Sequence, residues 1–300
     1  MKHTYYSNGK LLLTGEYVVL DGAKALAIPT RYGQSLEVIP SEKKGISWTS
    51  LDAKGATWFS AQFDVSQVET SEAKNATEQT LMNILVAAKK MNPDFLSEKK
   101  GLEVITRLDF PENWGLGSSS TLLNNIAQWA KVDAFKLLSK SFGGSGYDIA
   151  AAQHDSPILY QIQNQIPGMT PVSLPWNFTN KLFFVHLNRK QDSKEGIARY
   201  KNASGNKEAI KIISGITETL IRCHTLAEFE KLIQQHEAVI SEIIKLPTIK
   251  ERLFSNYTHS LKSSGAWGGD FILATGGEAE KEYFRNKGYH TILDFDALLK

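Results

Sequence analysis

Seven consecutive residues, Gly115-Leu116-Gly117-Ser118-Ser119-Ser120-Thr121, put two glycines and four hydroxyls between a strand pattern and a helix pattern. Glycines let backbone N–H groups approach an anion closely. A helix N-terminus adds unpaired N–H donors and the positive end of a dipole. The hydroxyls supply further donors, and one of them can ligate Mg²⁺. The chemistry is that of a phosphate cradle built without a Walker lysine. Taken alone, the same residues also read as a glycine turn followed by a serine N-cap.

Three other segments carry residues of chemical interest. Ser7-Asn8-Gly9-Lys10-Leu11-Leu12-Leu13-Thr14-Gly15-Glu16-Tyr17 reads as a buried strand that opens on a lysine and breaks at Gly15. A lysine in that place is ordinarily solvated. Gly143-Gly144-Ser145-Gly146-Tyr147-Asp148-Ile149-Ala150 sets Asp148 at the start of a small-residue helix. By itself Asp148 reads as a carboxylate complementing the helix dipole. Lys262-Ser263-Ser264-Gly265-Ala266-Trp267-Gly268-Gly269-Asp270 precedes a strand and offers a second backbone cradle, or a plain hairpin loop.

The elements that must position these residues follow from periodicity. Residues 9–39 alternate apolar segments with turn residues, as strands do, with an Asp21-Gly22 turn between Tyr17–Leu20 and Ala25–Ile28. Residues 46–65 read as short strands around Lys54-Gly55. Leu81, Ile84, Leu85 and Ala88 repeat at helical spacing over 76–91. A strand at 102–106 leads to the cradle, and a helix continues to about 131. Further on, the pattern predicts strands at 181–187, 270–274 and 290–295, and helices at 205–223, 226–245 and 277–287. Strands and helices mix without regular alternation, so the fold class is α+β with two domains, 1–175 and 176–300. The proline-rich stretch Pro167–Asn180 is the expected linker.

Composition narrows the function classes. Among 300 residues the net charge is +2, which gives no electrostatic footprint for nucleic acid or membrane surface. No stretch reaches the roughly 18 apolar residues of a membrane helix. No secretory signal pattern follows Met1, and Cys223 is the only cysteine, so a reducing, cytoplasmic setting is expected. Cys223 itself reads as an idle, buried thiol in a helix.

The order and spacing of the four segments resemble the GHMP kinases, the superfamily of galacto-, homoserine, mevalonate and phosphomevalonate kinases, over essentially the whole chain. Residues 7–30, 111–121 and 262–270 resemble its three motifs, and the second, Pro-x₃-Gly-Leu-Gly-Ser-Ser, is the most specific. Gly15-Glu16-Tyr17 is closest to phosphomevalonate kinases. The Gly146-Tyr147-Asp148-Ile149-Ala150 string is similar to that of a bacterial branch named for it. The resemblance implies a ribosomal-S5-like N-terminal domain and a ferredoxin-like C-terminal one. It implies ATP and Mg²⁺ as cofactors, with phosphates on residues 115–121 and on Gly265, Ala266, Gly268 and Gly269. It further implies Lys10 and Asp148 as the catalytic pair, Ser119 as a metal ligand, and Glu16, Tyr17, Ser145, Gly146 and Tyr147 at the acceptor. Lys190 and Ser193, within a cationic segment after a strand, are candidates for an anionic acceptor. The expected partner is a small molecule, with neither nucleic acid nor membrane.

Three departures stand out. Asn8 replaces a proline, and Trp267 replaces a glycine of the third motif. No glutamate lies between Glu112 and Glu195, where the family's metal-ligating glutamate belongs. Mg²⁺ keeps several waters, so few protein ligands can suffice. Three functions follow: a kinase of phosphomevalonate or mevalonate, a non-catalytic binding protein that keeps the fold, and a diphosphomevalonate decarboxylase-like enzyme. Gly9-Lys10-Leu11 speaks against the last, whose first motif carries an Asn-Ile-Ala-type string.

Overall fold

The computed structural model describes residues 1–64, 73–97, 101–189, 193–202, 207–264, 267 and 270–300, with the backbone alone at 193–195. The chain forms two compact units that are interleaved in sequence. The first comprises Met1–Gly9, Tyr32–Glu112 and Leu116–Gln153; the second comprises Lys10–Arg31, Asn113–Gly115 and His154–Lys300. A single boundary near residue 175 does not reproduce this division. Two long strands, β1 (His3–Thr14) and β2 (Ala25–Ser41), each run from one unit into the other.

In the first unit, β3 (Ile46–Leu51), β4 (Thr57–Phe63) and β5 (Gly101–Leu108) join the second half of β2 in the order β4-β3-β5-β2. β3 and β5 are parallel and the other pairs antiparallel. The α-helices among its described residues are α1 (Ala76–Met91), α2 (Ser118–Ala130), α3 (Ala134–Ser141) and α4 (Tyr147–Ala152). Helix α1 starts where Asn75 accepts the Glu78 N–H at 2.9 Å, the usual way an N-cap satisfies a first-turn donor. Its face Leu81, Ile84, Leu85 and Ala88 enters a core with Leu36, Val38, Trp48, Val104, Leu123 and Ile126.

In the second unit, the first half of β2 pairs with β6 (Ile158–Gln163), which pairs with β7 (Ile166–Pro171). A second sheet runs β11-β8-β10-β9, wholly antiparallel, from β8 (Leu182–His186), β9 (Leu261–Ser263), β10 (Phe271–Thr275) and β11 (Ile292–Asp294). Its helices are α5 (Ser193–Asn202), α6 (Lys207–Leu220), α7 (Leu226–Ile244), α8 (Ile249–Leu253), α9 (Glu278–Arg285) and α10 (Phe295–Leu298). Phe183, Val185, Ile272, Ala274, Phe254 and Phe284 form its core.

Two expectations need correction. Tyr17–Leu20 is not a strand: Val18–Asp21 is a 3₁₀ turn closed by left-handed Gly22. A four-residue apolar run has no periodicity to separate the two states. Pro167–Pro171 is not linker but strand β7 at the end of its sheet segment, a place where proline's missing donor costs nothing.

Candidate functional site

The cradle is built on helix α2. Gly115 and Gly117 both have positive φ, 66° and 89°, which a side-chain-bearing residue adopts only at a cost. Gly117 occupies the N-cap position, and no side chain caps the helix. The Thr121 N–H is the first to bond back, to Gly117 O at 3.0 Å. The N–H groups of Ser118, Ser119 and Ser120 therefore open the helix without an intrahelical partner. The Ser119 side chain is exposed there, and those of Ser118 and Ser120 are half-buried. Leu116 is buried and Thr121 only 1 % exposed. Thr121 donates its hydroxyl to Gln34 Oε1 at 2.6 Å, so these two residues can serve a ligand through their backbone alone.

Beneath the helix lies a buried polar ladder within the same unit. Ser7 Oγ donates to Asn125 Oδ1 at 2.7 Å, Asn124 Nδ2 donates to Ser7 Oγ at 2.8 Å, and Asn125 Nδ2 donates to Gln34 O at 2.8 Å. Gln153 Nε2, at the end of α4, donates to Asn124 Oδ1 at 2.8 Å. The helix that carries Ser119 and the helix that carries Asp148 are thus tied together. Left-handed Gly146 begins α4, with Asp148 in its first turn, Ser145 buried and Tyr147 half-buried.

Lys10 lies in the second unit, 9 % exposed, with Nζ donating to Gly115 O at 3.4 Å. The lysine of the first motif and the first glycine of the second therefore meet, while Asp148 and Ser119 belong to the first unit. Lys190, Gly265, Ala266, Gly268, Gly269 and the side chain of Ser193 lie outside the described residues. Trp267 is described: it is buried and its indole N–H donates to Pro247 O at 3.4 Å.

Glu16 and Tyr17 are held by protein groups. Tyr17, at φ 62°, stacks with Tyr200 at 6.1 Å between centroids. A Cβ at Gly196 would come within 2.2 Å of its hydroxyl, so only glycine lets α5 approach the ring so closely. Glu16 is 2 % exposed and accepts from Lys262, which also bonds Ser263 O. Lys262 Nζ is 3.3 Å from Glu237 Oε1. Glu237 Oε2 accepts both the N–H and the hydroxyl of Ser263 at 3.1 Å. His236 Nε2 accepts the Gly15 N–H at 3.0 Å and lies 3.2 Å from Glu16 Oε2. The first motif, the start of the third and helix α7 thus converge, within the second unit, on four buried ionisable groups.

Their protonation follows from burial and charge. Burial opposes ionisation of Glu16, but Lys262 and His236 outweigh it and hold its carboxyl down at about 2. Burial pushes Glu237 up to about 7 against the pull of Lys262, with the Glu16 charge adding to the rise. Burial also lowers the His236 imidazole, against the opposing pull of Glu16. With the proton kept on Glu237, the Glu16 carboxylate faces the Lys262 amine, an ion pair of the kind that a low-dielectric interior tolerates. Burial likewise pushes the Cys223 thiol up to about 11, as befits an idle sulfur.

A stability prediction follows. Folded Glu237 keeps a proton that the unfolded chain releases above about 4.5. Folded protein then binds more protons than unfolded, and stability falls as pH rises through the window from about 4.5 to about 7. Glu16 acts in the opposite sense and withdraws stability as pH falls below 4.5 towards about 2. His236, lowered by burial, acts in the opposite sense below about 6.5, so the Glu237 contribution is read as a difference between proteins. Urea titrations should show wild-type stability falling relative to that of Glu237→Gln by up to about 3 kcal/mol between about pH 5 and 8; a difference that does not change with pH would contradict the assignment.

The sequence signal for this cluster was present on α7. Phe229, Leu232, Ile233, Ile240 and Ile244 are its buried face, and His236 and Glu237 fall at the same helical positions. Polar groups in a core-facing register need partners. His186, buried on β8, and Asp270 were also not singled out; both sit against residues 113–115.

No family model matches the chain, and no curated protein matches it. Solved structures do. Mevalonate kinase of Methanococcus jannaschii superposes with a TM-score of 0.72 at 14 % identity, covering 98 % of this chain and 97 % of the other. Phosphomevalonate kinase of Streptococcus pneumoniae, solved with phosphomevalonate and AMPPNP, gives 0.71 at 15 % identity, with 97 % and 99 % covered. Galactokinase of Lactococcus lactis, solved with galactose, gives 0.68 at 15 %, with 95 % and 88 % covered. The fold is that of the GHMP kinases. The GHMP kinase fold accounts for the mixed sheet and for the second, antiparallel sheet.

Among the described residues no group of three or more His, Cys, Asp or Glu is gathered to cage a metal. The candidate donors that the sequence singles out in the first unit are Ser119, an exposed hydroxyl at the start of α2, and Asp148, in the first turn of α4. That set fits Mg²⁺ that arrives hydrated and bound to a polyphosphate, since Mg²⁺ retains several waters.

Proposed function

We propose that this protein is an ATP-dependent small-molecule kinase that transfers the γ-phosphate to a small anionic acceptor, phosphomevalonate ahead of mevalonate. The observation that carries the reading is the uncapped start of α2, reached through two left-handed glycines, with Lys10 bonded to the first of them. The fold supports it, because solved kinases of three different acceptors share it. The lean towards phosphomevalonate rests on Gly15-Glu16-Tyr17 and on the cations at 189–194.

Phosphoryl transfer needs positioning and charge neutralisation more than covalent help. The first-turn N–H groups of α2 would hold the phosphates. Ser119 and Asp148 would hold Mg²⁺, which shields the phosphate charge when bound. Lys10 would stabilise charge on the moving group, and Asp148 would take or orient the acceptor proton. The partner is a small molecule, with no role for nucleic acid or membrane. No helix of the described residues is long and apolar enough to cross a bilayer, in keeping with a proposed cytoplasmic site of action.

A second reading, a non-catalytic binding protein that keeps the fold, draws on buried Trp267 in the third motif and on the absent glutamate. Calorimetry with Mg·ATP beside a turnover assay separates the two. Ser119→Ala should weaken Mg²⁺-dependent turnover about tenfold or more, the scale of one lost charge-assisted bond, while the melting temperature holds, because an exposed hydroxyl adds little to stability. Absence of nucleotide binding at every Mg²⁺ concentration would end the kinase reading and leave the non-catalytic one.

A further inference from the structure

The buried ladder beneath α2 has a direction, and a backbone atom at one end sets it. The carbonyl oxygen of Gln34 can only accept, so Asn125 must face it with Nδ2, at 2.8 Å. Asn125 therefore turns Oδ1 to Ser7, and the Ser7 hydroxyl must give its proton there, at 2.7 Å. Ser7 Oγ is left to accept, so Asn124 meets it with Nδ2 at 2.8 Å. Asn124 then shows Oδ1 to the end of α4, and Gln153 must donate to it, Nε2 to Oδ1 at 2.8 Å. Every member lies in the first unit. Ser7, Asn124 and Asn125 are buried, where an amide turned the other way would leave donors and acceptors unpaired.

The last bond of the ladder joins two helices at equal offsets from the two residues proposed to act. Asn124 stands five positions after Ser119 (124 − 119), and Gln153 five after Asp148 (153 − 148), about 7.5 Å along a helix in each case. Helix α4 has only six residues, too few to be stable alone. Its buried side chains are Ile149, Ala150, Ala151 and Ala152, and alanine methyls make low ridges that resist sliding weakly. The directional bond from Gln153 fixes how far α4 stands along α2, and with it the separation of Asp148 from Ser119. Gln153 itself is exposed, so the bond sets a position without closing a core.

We propose that Asn124 and Gln153 are positioning residues for phosphoryl transfer, whose bond holds the Asp148 carboxylate at its working distance from Ser119. The inference rests on the kinase reading above, in which Asp148 acts. The test uses Gln153→Met, which keeps the length and removes the donor, and Gln153→Glu, which keeps the shape and sets an oxygen against Asn124 Oδ1. Both replace an exposed side chain, so the melting temperature should fall by a few degrees at most. In the unliganded chain, hydrogen exchange should quicken about fivefold or more at the Ala150 and Gln153 amides, the scale of one lost hydrogen bond. Exchange at the Thr121 amide of α2 should stay as in wild type. Under turnover, kcat should fall about ten- to a hundredfold, the cost of a small misplacement, with KM for ATP within about threefold. Added to Asp148→Asn, Gln153→Met should lower kcat by no more than about twofold further, because the group it positions is already gone. A general structural loss would instead lower kcat equally in both backgrounds. Suppose wild type transfers phosphate and Asp148→Asn slows it. Gln153 variants at full rate, unchanged exchange in α4, or equal losses in the two backgrounds would then overturn the positioning role alone. Wild type that transfers no phosphate, or Asp148→Asn at the wild-type rate, would overturn the kinase reading of Asp148 together with it.

Discussion

Lys262→Met should cost the fold about 3–5 kcal/mol, the range for breaking a buried ion pair by removing one partner. Methionine keeps the unbranched stem and removes the charge. Glu16 then loses its strongest neutralising partner while remaining 2 % exposed, and Glu237 loses the cation 3.3 Å away. Glu16 must then take up a proton to stay inside and Glu237 must keep the one it has, so the loss should deepen as pH rises from about 5 to 8. Urea denaturation monitored by tryptophan fluorescence measures it. Adding Glu16→Gln to Lys262→Met should recover part of the loss, because the buried anion goes with the cation, and the double-mutant cycle isolates the coupling. A single-variant loss within about 0.5 kcal/mol, the level of an ordinary surface change, would mean that the four-group cluster does not form.

The second large effect concerns rate. Lys10→Ala and Asp148→Asn should each slow phosphoryl transfer, and their ratio should report the acceptor's chemistry. A hydroxyl acceptor must lose its proton, so removing the base would cost roughly 10²–10⁴ in kcat. A phosphate acceptor, with a second pKa near 6, arrives mostly ionised and needs the base less. The preference for phosphomevalonate therefore predicts that Lys10→Ala is the more damaging of the two. The reverse order would indicate an alcohol acceptor such as mevalonate. If both variants kept rates within about threefold of wild type, neither residue would be the general base or charge stabiliser.

Much of the architecture was legible because it rests on local pattern. Leu81, Ile84, Leu85 and Ala88 announce α1, and Asn92-Pro93 announces its end. Gly115 and Gly117, ahead of three serines, announce the cradle, and both glycines take the positive φ their type permits. What stayed hidden depends on residues far apart in sequence. Glu16 meets Lys262 across 246 positions and Gly15 meets His236 across 221, and nothing local encodes such pairings. Glu16 looked like a residue for a ligand, yet its carboxylate is engaged by the protein interior. Asp270 looked like the first residue of a strand, whereas its left-handed backbone turns the carboxylate onto Gly115. The interleaving of the units had no sequence marker either, since it arises where β1 and β2 run continuously through both.

The most direct test of phosphoryl transfer is ³¹P NMR of the protein with Mg·ATP and, in turn, phosphomevalonate, mevalonate, homoserine and sugars. Transfer predicts that one acceptor, phosphomevalonate first, yields ADP together with an equal amount of a new phosphorylated-acceptor resonance, and that without acceptor the ATP signals persist. ATP signals unchanged with every acceptor, or loss of the γ-phosphate only as inorganic phosphate, would contradict it.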